Sequence, residues 1–218
     1  MLTDNIPGLL VVLALLGIVP ALVVLATAYT KIIIVFLIVR NALGVQQMPP
    51  NFLLNMFALV LAIAVMGPVV DQILAVVSDP SRSFESFNDW MNAFEAGSQP
   101  LRDFLMRYAD PEHRAFFLEA VQEIWREHGG TTATDTDLSI LIPSFMVSEL
   151  TRAFEIGFLL YLPFLAIDFA ISAILLGLGM QMLSPVIISV PFKLLIFVLV
   201  DGWARLVQGL VLSYGVLP

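Results

Sequence analysis

Two charged residues stand alone inside otherwise apolar stretches: Asp168 in the run 156–178, and Lys193 in the run 186–200. An ionised carboxylate in apolar surroundings is costly unless it is protonated or has a partner. Lys193, on the arm that returns after a break at 179–185, is an available partner, within the chain or from a neighbouring copy. A proton relay is the rival chemistry, because intramembrane carboxylates commonly serve one. No second titratable residue lies near Asp168 in sequence, which favours the structural pair.

Two more charge groups flank these runs. Glu149, Arg152 and Glu155 are spaced i, i+3 and i+6, so one helix would place the arginine beside both carboxylates. They read either as a solvated turn with weak pairing or as a charge belt that pairs across neighbouring subunits and fixes their register. Asp201 and Arg205, at i and i+4, pose the same choice. The break itself reads Gly179-Met180-Gln181-Met182-Leu183-Ser184-Pro185, with a methionine on each side of a glutamine. Thioethers on flexible, uncharged stems repack around irregular shapes. Met56, Met66, Met91 and Met146 lie within helical patterns and read as core. His113 and His128 fall in an acidic stretch without an HExxH pattern, and no P-loop, GxSxG or dinucleotide fingerprint is present. The expectation is a non-enzyme with no metal or cofactor.

The elements that hold these residues are set by composition. The chain has 218 residues, 59% hydrophobic and 13% charged, with no cysteine and a net charge of −8. Ordinary soluble domains carry roughly 45–50% apolar and about 25% charged residues, so the excess points to a bilayer or to large apolar interfaces between chains. The acidic balance argues against nucleic acid, which needs a basic surface. The fold class is all-α: a membrane protein of long kinked helical hairpins with a small soluble helical insert, assembling into an oligomer.

Three parts follow in order. Residues 1–78 are N-terminal hydrophobic helices. The stretch 9–28 is long enough to span, is interrupted by Pro20, and is read as retained because Asp4 and the lack of a basic leader do not suit a signal peptide. Lys31 and Arg40 bracket an apolar octet and read as snorkelling cations. Gly44, Pro49 and Pro50 mark a loop, and a second apolar segment, 52–77, carries Gly67, Pro68 and Asp71. Residues 79–141 are the insert: 79–137 holds twelve of the eighteen acidic and five of the ten basic residues. Its helical patterns (Phe84, Phe87, Met91, Phe94, then Phe116, Phe117, Ala120, Ile124) are expected to be separated at Gly97-Ser98-Gln99-Pro100. Its acidity places it outside the cytoplasm, in the periplasm, under the positive-inside rule. Residues 142–218 are a C-terminal hydrophobic hairpin with the methionine-bearing loop. Its second arm, 186–200, gives only about 22 Å of helix against about 30 Å of hydrocarbon. It is therefore re-entrant or buried against other chains.

A long ordered series carries a family resemblance. Ser148-Glu149-Leu150, Ala153-Phe154, Ile156-Gly157-Phe158, Tyr161-Leu162-Pro163-Phe164-Leu165, Asp168, Gly179-Met180, Pro185, Pro191-Phe192-Lys193 and Asp201-Gly202-Trp203 all match. The chain resembles the SctR/FliP family, core subunits of the type III secretion and flagellar export apparatus. The resemblance implies a homopentamer joining SctS-like and SctT-like subunits, a SctU-like subunit and the basal body rings in the bacterial inner membrane. It also implies hairpins raised above the membrane plane, and a channel that passes unfolded secreted proteins. In that family the 179–185 loop contributes a methionine gasket, here Met180, Gln181 and Met182. Flagellar members typically carry an unbroken methionine run there, so the secretion-type branch is preferred.

Overall fold

The computed structural model describes residues 17, 20–21, 23–45, 47–79, 87–127, 132–180 and 182–215. Among these residues all regular structure is helical. In order the helices are α1 (Tyr29–Ala42), α2 (Asn51–Val77), α3 (Phe87–Tyr108), α4 (Pro111–Glu127), α5 (Leu138–Gly177), α6 (Pro185–Leu199) and α7 (Gly202–Leu212). Most of the expected first span, 9–28, lies outside the described residues. α2 and α5 are long and apolar enough to cross a membrane, and α6 with α7, bent by 61° at their junction, makes a third candidate. Gly67 and Pro68 do not end α2.

The described chain falls into two compact units, one with the residues up to Thr30 and Met66–Glu149, the other with Lys31–Val65 and Leu150–Pro218. In the first, α3 buries Ala93, Ser98, Phe104, Leu105 and Tyr108, a stripe at helical spacing. The Phe104 ring packs tilted against Tyr108, with centroids 4.9 Å apart, and against Phe145 of α5 at 5.7 Å. This stripe corrects two expectations. The break expected at Gly97–Pro100 is absent, because the buried face continues through it and Ser98 returns its hydroxyl to the Glu95 carbonyl. The break falls at Ala109–Asp110 instead, where Asp110 Oδ1 accepts the Glu112 N–H at 2.8 Å and Pro111 opens α4. Met91, read as core, is exposed, and so is Phe94 of the same helical pattern.

In the second unit α1 is the centre: Ile32, Ile33, Val35, Phe36, Val39 and Ala42 are all buried. α2 presents Leu54, Ala58 and Ala62 as its buried stripe, where the small Ala58 and Ala62 at i, i+4 let a neighbouring backbone approach. Met56, read as core, lies off that stripe and is exposed. A chain of rings links the helices: Phe57 to Phe36 (5.4 Å), Phe36 to Trp203 (5.8 Å), Trp203 to Phe197 (5.4 Å) and Phe197 to Phe164 (6.2 Å). Gly157 is where α5 meets this core closely, since a Cβ there would lie 2.4 Å from Ile38 Cδ1. Lys31 does not snorkel. It is 1% exposed, with Nζ 3.5 Å from the centre of the Tyr214 ring, where a desolvated cation gains from the ring quadrupole. Arg40 also turns inward, donating to the Pro49 carbonyl at 3.3 Å and to Asn51 Oδ1 at 2.5 Å, and so clamps the α1–α2 loop.

Candidate functional site

The inner face of the α5–α6 hairpin is read directly from burial. On α6 the buried residues are Ser189, Lys193 and Phe197, one residue per turn on one face. On α5, Ala153, Phe164 and Leu175 are buried. Phe154, Phe158, Phe169, Leu176, Ile187, Val198 and Leu199 lie exposed around them. Beyond Glu155 the hairpin is thus apolar on its outside and turns Asp168 and Lys193 inward.

Those groups meet at Lys193. Its Nζ donates to Asp168 Oδ2 at 2.5 Å and to the Ala42 carbonyl oxygen at 3.0 Å. Ala42 ends α1, so the ammonium satisfies a carbonyl that the helix leaves open and sits at the negative end of its dipole. One lysine therefore ties α1, α5 and α6 together. The pair is unequal: the Lys193 side chain is 5% exposed and that of Asp168 is 29% exposed. Asp168 Oδ1 is buried without a hydrogen-bond partner among the described residues. The lysine half of this geometry was open to sequence reasoning; the Ala42 carbonyl was not, because backbone groups leave no mark in residue types.

The loop is built by its glycine. α5 ends with Gly179 at φ 72, Met180 N–H donating to the Leu175 carbonyl (2.9 Å) and Gly179 N–H to that of Leu176 (3.1 Å). This is a Schellman closure, which needs a left-handed residue and so selects glycine. It fixes the point at which Met180 leaves the helix. Met180 is exposed and Met182 is fully so; Gln181 lies outside the described residues. Pro185 then starts α6, with Ser184 extended before it.

The remaining charges separate. On α5, Glu149 is fully buried, Arg152 half-buried and Glu155 exposed, so the Glu149 end of this group is not a solvated turn. Asp201 takes a left-handed conformation (φ 51) ahead of α7. It joins Arg205 only through the backbone, Arg205 N–H to Asp201 carbonyl at 3.1 Å. Among the described residues no ion pair forms between their side chains.

One polar node was missed. Ser148 Oγ donates to the Ser144 carbonyl (2.7 Å), accepts the Asp110 N–H (2.8 Å) and lies 2.9 Å from His113 Nδ1. Its one proton is committed, so His113 Nδ1 carries the hydrogen between them. The node fastens the α3–α4 corner to α5 within the first unit. Ser148 stood in the matching series, but no spacing linked it to His113.

Comparisons with known proteins follow the same lines. The FliP family model matches residues 12–210. A probable translocation protein y4yL of Sinorhizobium fredii is 48% identical over 216 residues, covering 98% of this chain and 97% of the relative. The Yop proteins translocation protein R of Yersinia pestis is 45% identical over 214 residues, 98% of each chain. The surface presentation of antigens protein SpaP of Salmonella typhi is 40% identical over 216 residues, 95% of this chain and 96% of the relative. With a family match over nearly its whole length, and relatives named for translocation, the chain belongs to the FliP family, on its type III secretion branch.

Proposed function

We propose that this chain is a core subunit of a type III protein export gate, which passes unfolded secretion substrates through the bacterial inner membrane. Five copies join SctS-like and SctT-like subunits to form the channel, beside a SctU-like subunit and within the basal body rings. The role is structural rather than enzymatic. The observation that carries the reading is the hairpin: apolar on the outside, its Asp168–Lys193 pair turned inward, and its tip presenting Met180 and Met182 to the surroundings. A channel for an unfolded chain needs a constriction that is apolar yet deformable, and methionine meets both needs. The acidic insert faces the periplasm, and Glu149, Arg152 and Glu155 set the register between neighbouring copies.

The test replaces Met180 and Met182 by alanine together and measures ion leakage across the inner membrane, in cells where a native gel shows the complex assembled. Leakage should rise without loss of assembly. Unchanged leakage in a fully assembled double mutant would reduce the loop to an ordinary hairpin turn. A second reading, a small-ion or solute pathway through Asp168 and Lys193, draws on the unpartnered Asp168 Oδ1. It requires ion flux through this chain alone, which the export reading does not.

A further inference from the structure

The second unit carries a half-open apolar groove of about 550 Å³, walled by α1, α5, α6 and α7. α5 lines it with Ile156, Leu160, Pro163 and Ile167, spaced i, i+4, i+7 and i+11 and so one stripe of the helix. The next stripe round, about 100° away, holds Glu155, Leu159, Leu162 and Phe169, all exposed. Native interiors are close-packed, and a groove of this size left empty forfeits dispersion contacts along its whole wall. One charge marks each face. Arg205 of α7 lines the groove and is exposed, so it stands at the rim. Glu155 begins the other stripe, one residue before Ile156. Among the described residues neither side chain has a hydrogen-bond or ion-pair partner. One face is therefore an apolar hollow with a cation, and the other an apolar ridge with an anion.

We propose that a second copy of this chain fills the groove: its α5 ridge seats in the hollow, and its Glu155 carboxylate pairs with Arg205 at the rim. Apolar surface and charge sign both select this occupant. A guanidinium matches a carboxylate with two parallel hydrogen bonds, and opposite charges set across an interface fix its register and suppress wrong partners. Hollow and ridge are different patches, so the contact repeats head to tail. Each copy receives a ridge on one side and gives its own on the other, the heterologous arrangement that closes into rings. The inference rests on the proposed oligomer and adds to it which faces meet and which side chain each copy supplies.

Charge reversal tests the pair in the full-length chain, purified in one mild detergent and read by native mass spectrometry over a dilution series. Arg205→Glu and Glu155→Arg each set like charges across the contact and should weaken self-association by roughly tenfold or more. The double variant, Glu155→Arg with Arg205→Glu, restores opposite signs and should recover the wild-type oligomer. Gly209→Leu tests the hollow with both charges intact. Gly209 lines the groove, and a Cβ built there meets nothing within 4 Å, so leucine occupies the space and favours the helix. It should weaken association with no fall in the thermal stability of the chain. Single reversals that leave the oligomer intact, or a double variant no better than the singles, would overturn the pair while the export reading kept its oligomer. An undiminished oligomer in Gly209→Leu would overturn docking in the groove. A wild-type chain found only as a monomer would remove the oligomer itself, and the export reading with it.

Discussion

Removing Asp168 should damage the protein more than removing its partner Lys193, and the asymmetry can be worked from their surroundings. In Asp168→Ala the ammonium of Lys193 remains almost wholly buried, with only the Ala42 carbonyl for company. Breaking a buried ion pair in this way costs about 3–5 kcal/mol. In Lys193→Met the orphan is a carboxylate whose side chain is 29% exposed; it can take up water, and the unbranched methionine fills much of the lysine's volume. That leaves mainly the Ala42 carbonyl without a donor, at about 1–3 kcal/mol for an unsatisfied buried group. The double variant, Asp168→Ala with Lys193→Met, keeps only this last defect and should recover part of the loss. The assay is thermal and denaturant unfolding of the purified chain in one mild detergent, read by circular dichroism for all four proteins. Asp168→Ala should be the least stable and the double variant clearly better. Additive defects in the double variant, or a Lys193→Met protein less stable than Asp168→Ala, would refute the pairing as the source of stability.

Gly157→Ala should over-pack the α5–Ile38 contact and cost about 1–3 kcal/mol, with Ile38→Ala restoring part of it in the same unfolding assay. Ser148→Ala should strand the Asp110 N–H and the His113 ring, costing about 1–3 kcal/mol. It should speed amide exchange at 109, 110, 112 and 113 while leaving α6 unchanged. Ala115→Cys, on the exposed side of α4 in a chain without cysteine, should react with a membrane-impermeant thiol reagent in intact spheroplasts. Labelling only after permeabilisation would place the insert on the cytoplasmic side.

The parts of the fold marked by local punctuation were legible in the sequence. Gly179 and Pro185 bound the loop, and the arm read as 186–200 is the helix Pro185–Leu199, because a left-handed stop and a proline start act within a few residues. Helix faces were not legible in the same way. In a soluble helix an apolar residue points inward, so periodicity identifies the core. Here α2 is apolar nearly all round, and that inference lost its force: Met56 looks like a core residue and is exposed. Lys31 failed for another reason. Its partner Tyr214 comes from the far end of the chain, and no spacing rule joins residues so distant. Gly97–Pro100 shows a local signal overridden, since the buried stripe from Ala93 to Tyr108 outweighs one proline in the helix.

Helix length carries the assembly argument further than composition does. α5 has 40 residues, about 60 Å at 1.5 Å per residue, twice the hydrocarbon thickness of about 30 Å. Exposed apolar residues run along it from Phe154 to Leu176, and only 11% of its most apolar window is buried within the chain. Lipid alone cannot cover such a helix from end to end, and water would leave large side chains such as Phe158 and Phe169 solvated at about 1.5–3 kcal/mol each. α6 has the opposite misfit: at 15 residues it is too short to span, yet Ile187, Leu195 and Val198 face outward. Helices of neighbouring chains, which have no fixed thickness, would match both in the proposed assembly, the helix too long for the bilayer and the one too short. On the proposed assembly, then, the surface that defines the channel wall is also the surface that completes the fold, and stability should rise with oligomerisation rather than precede it.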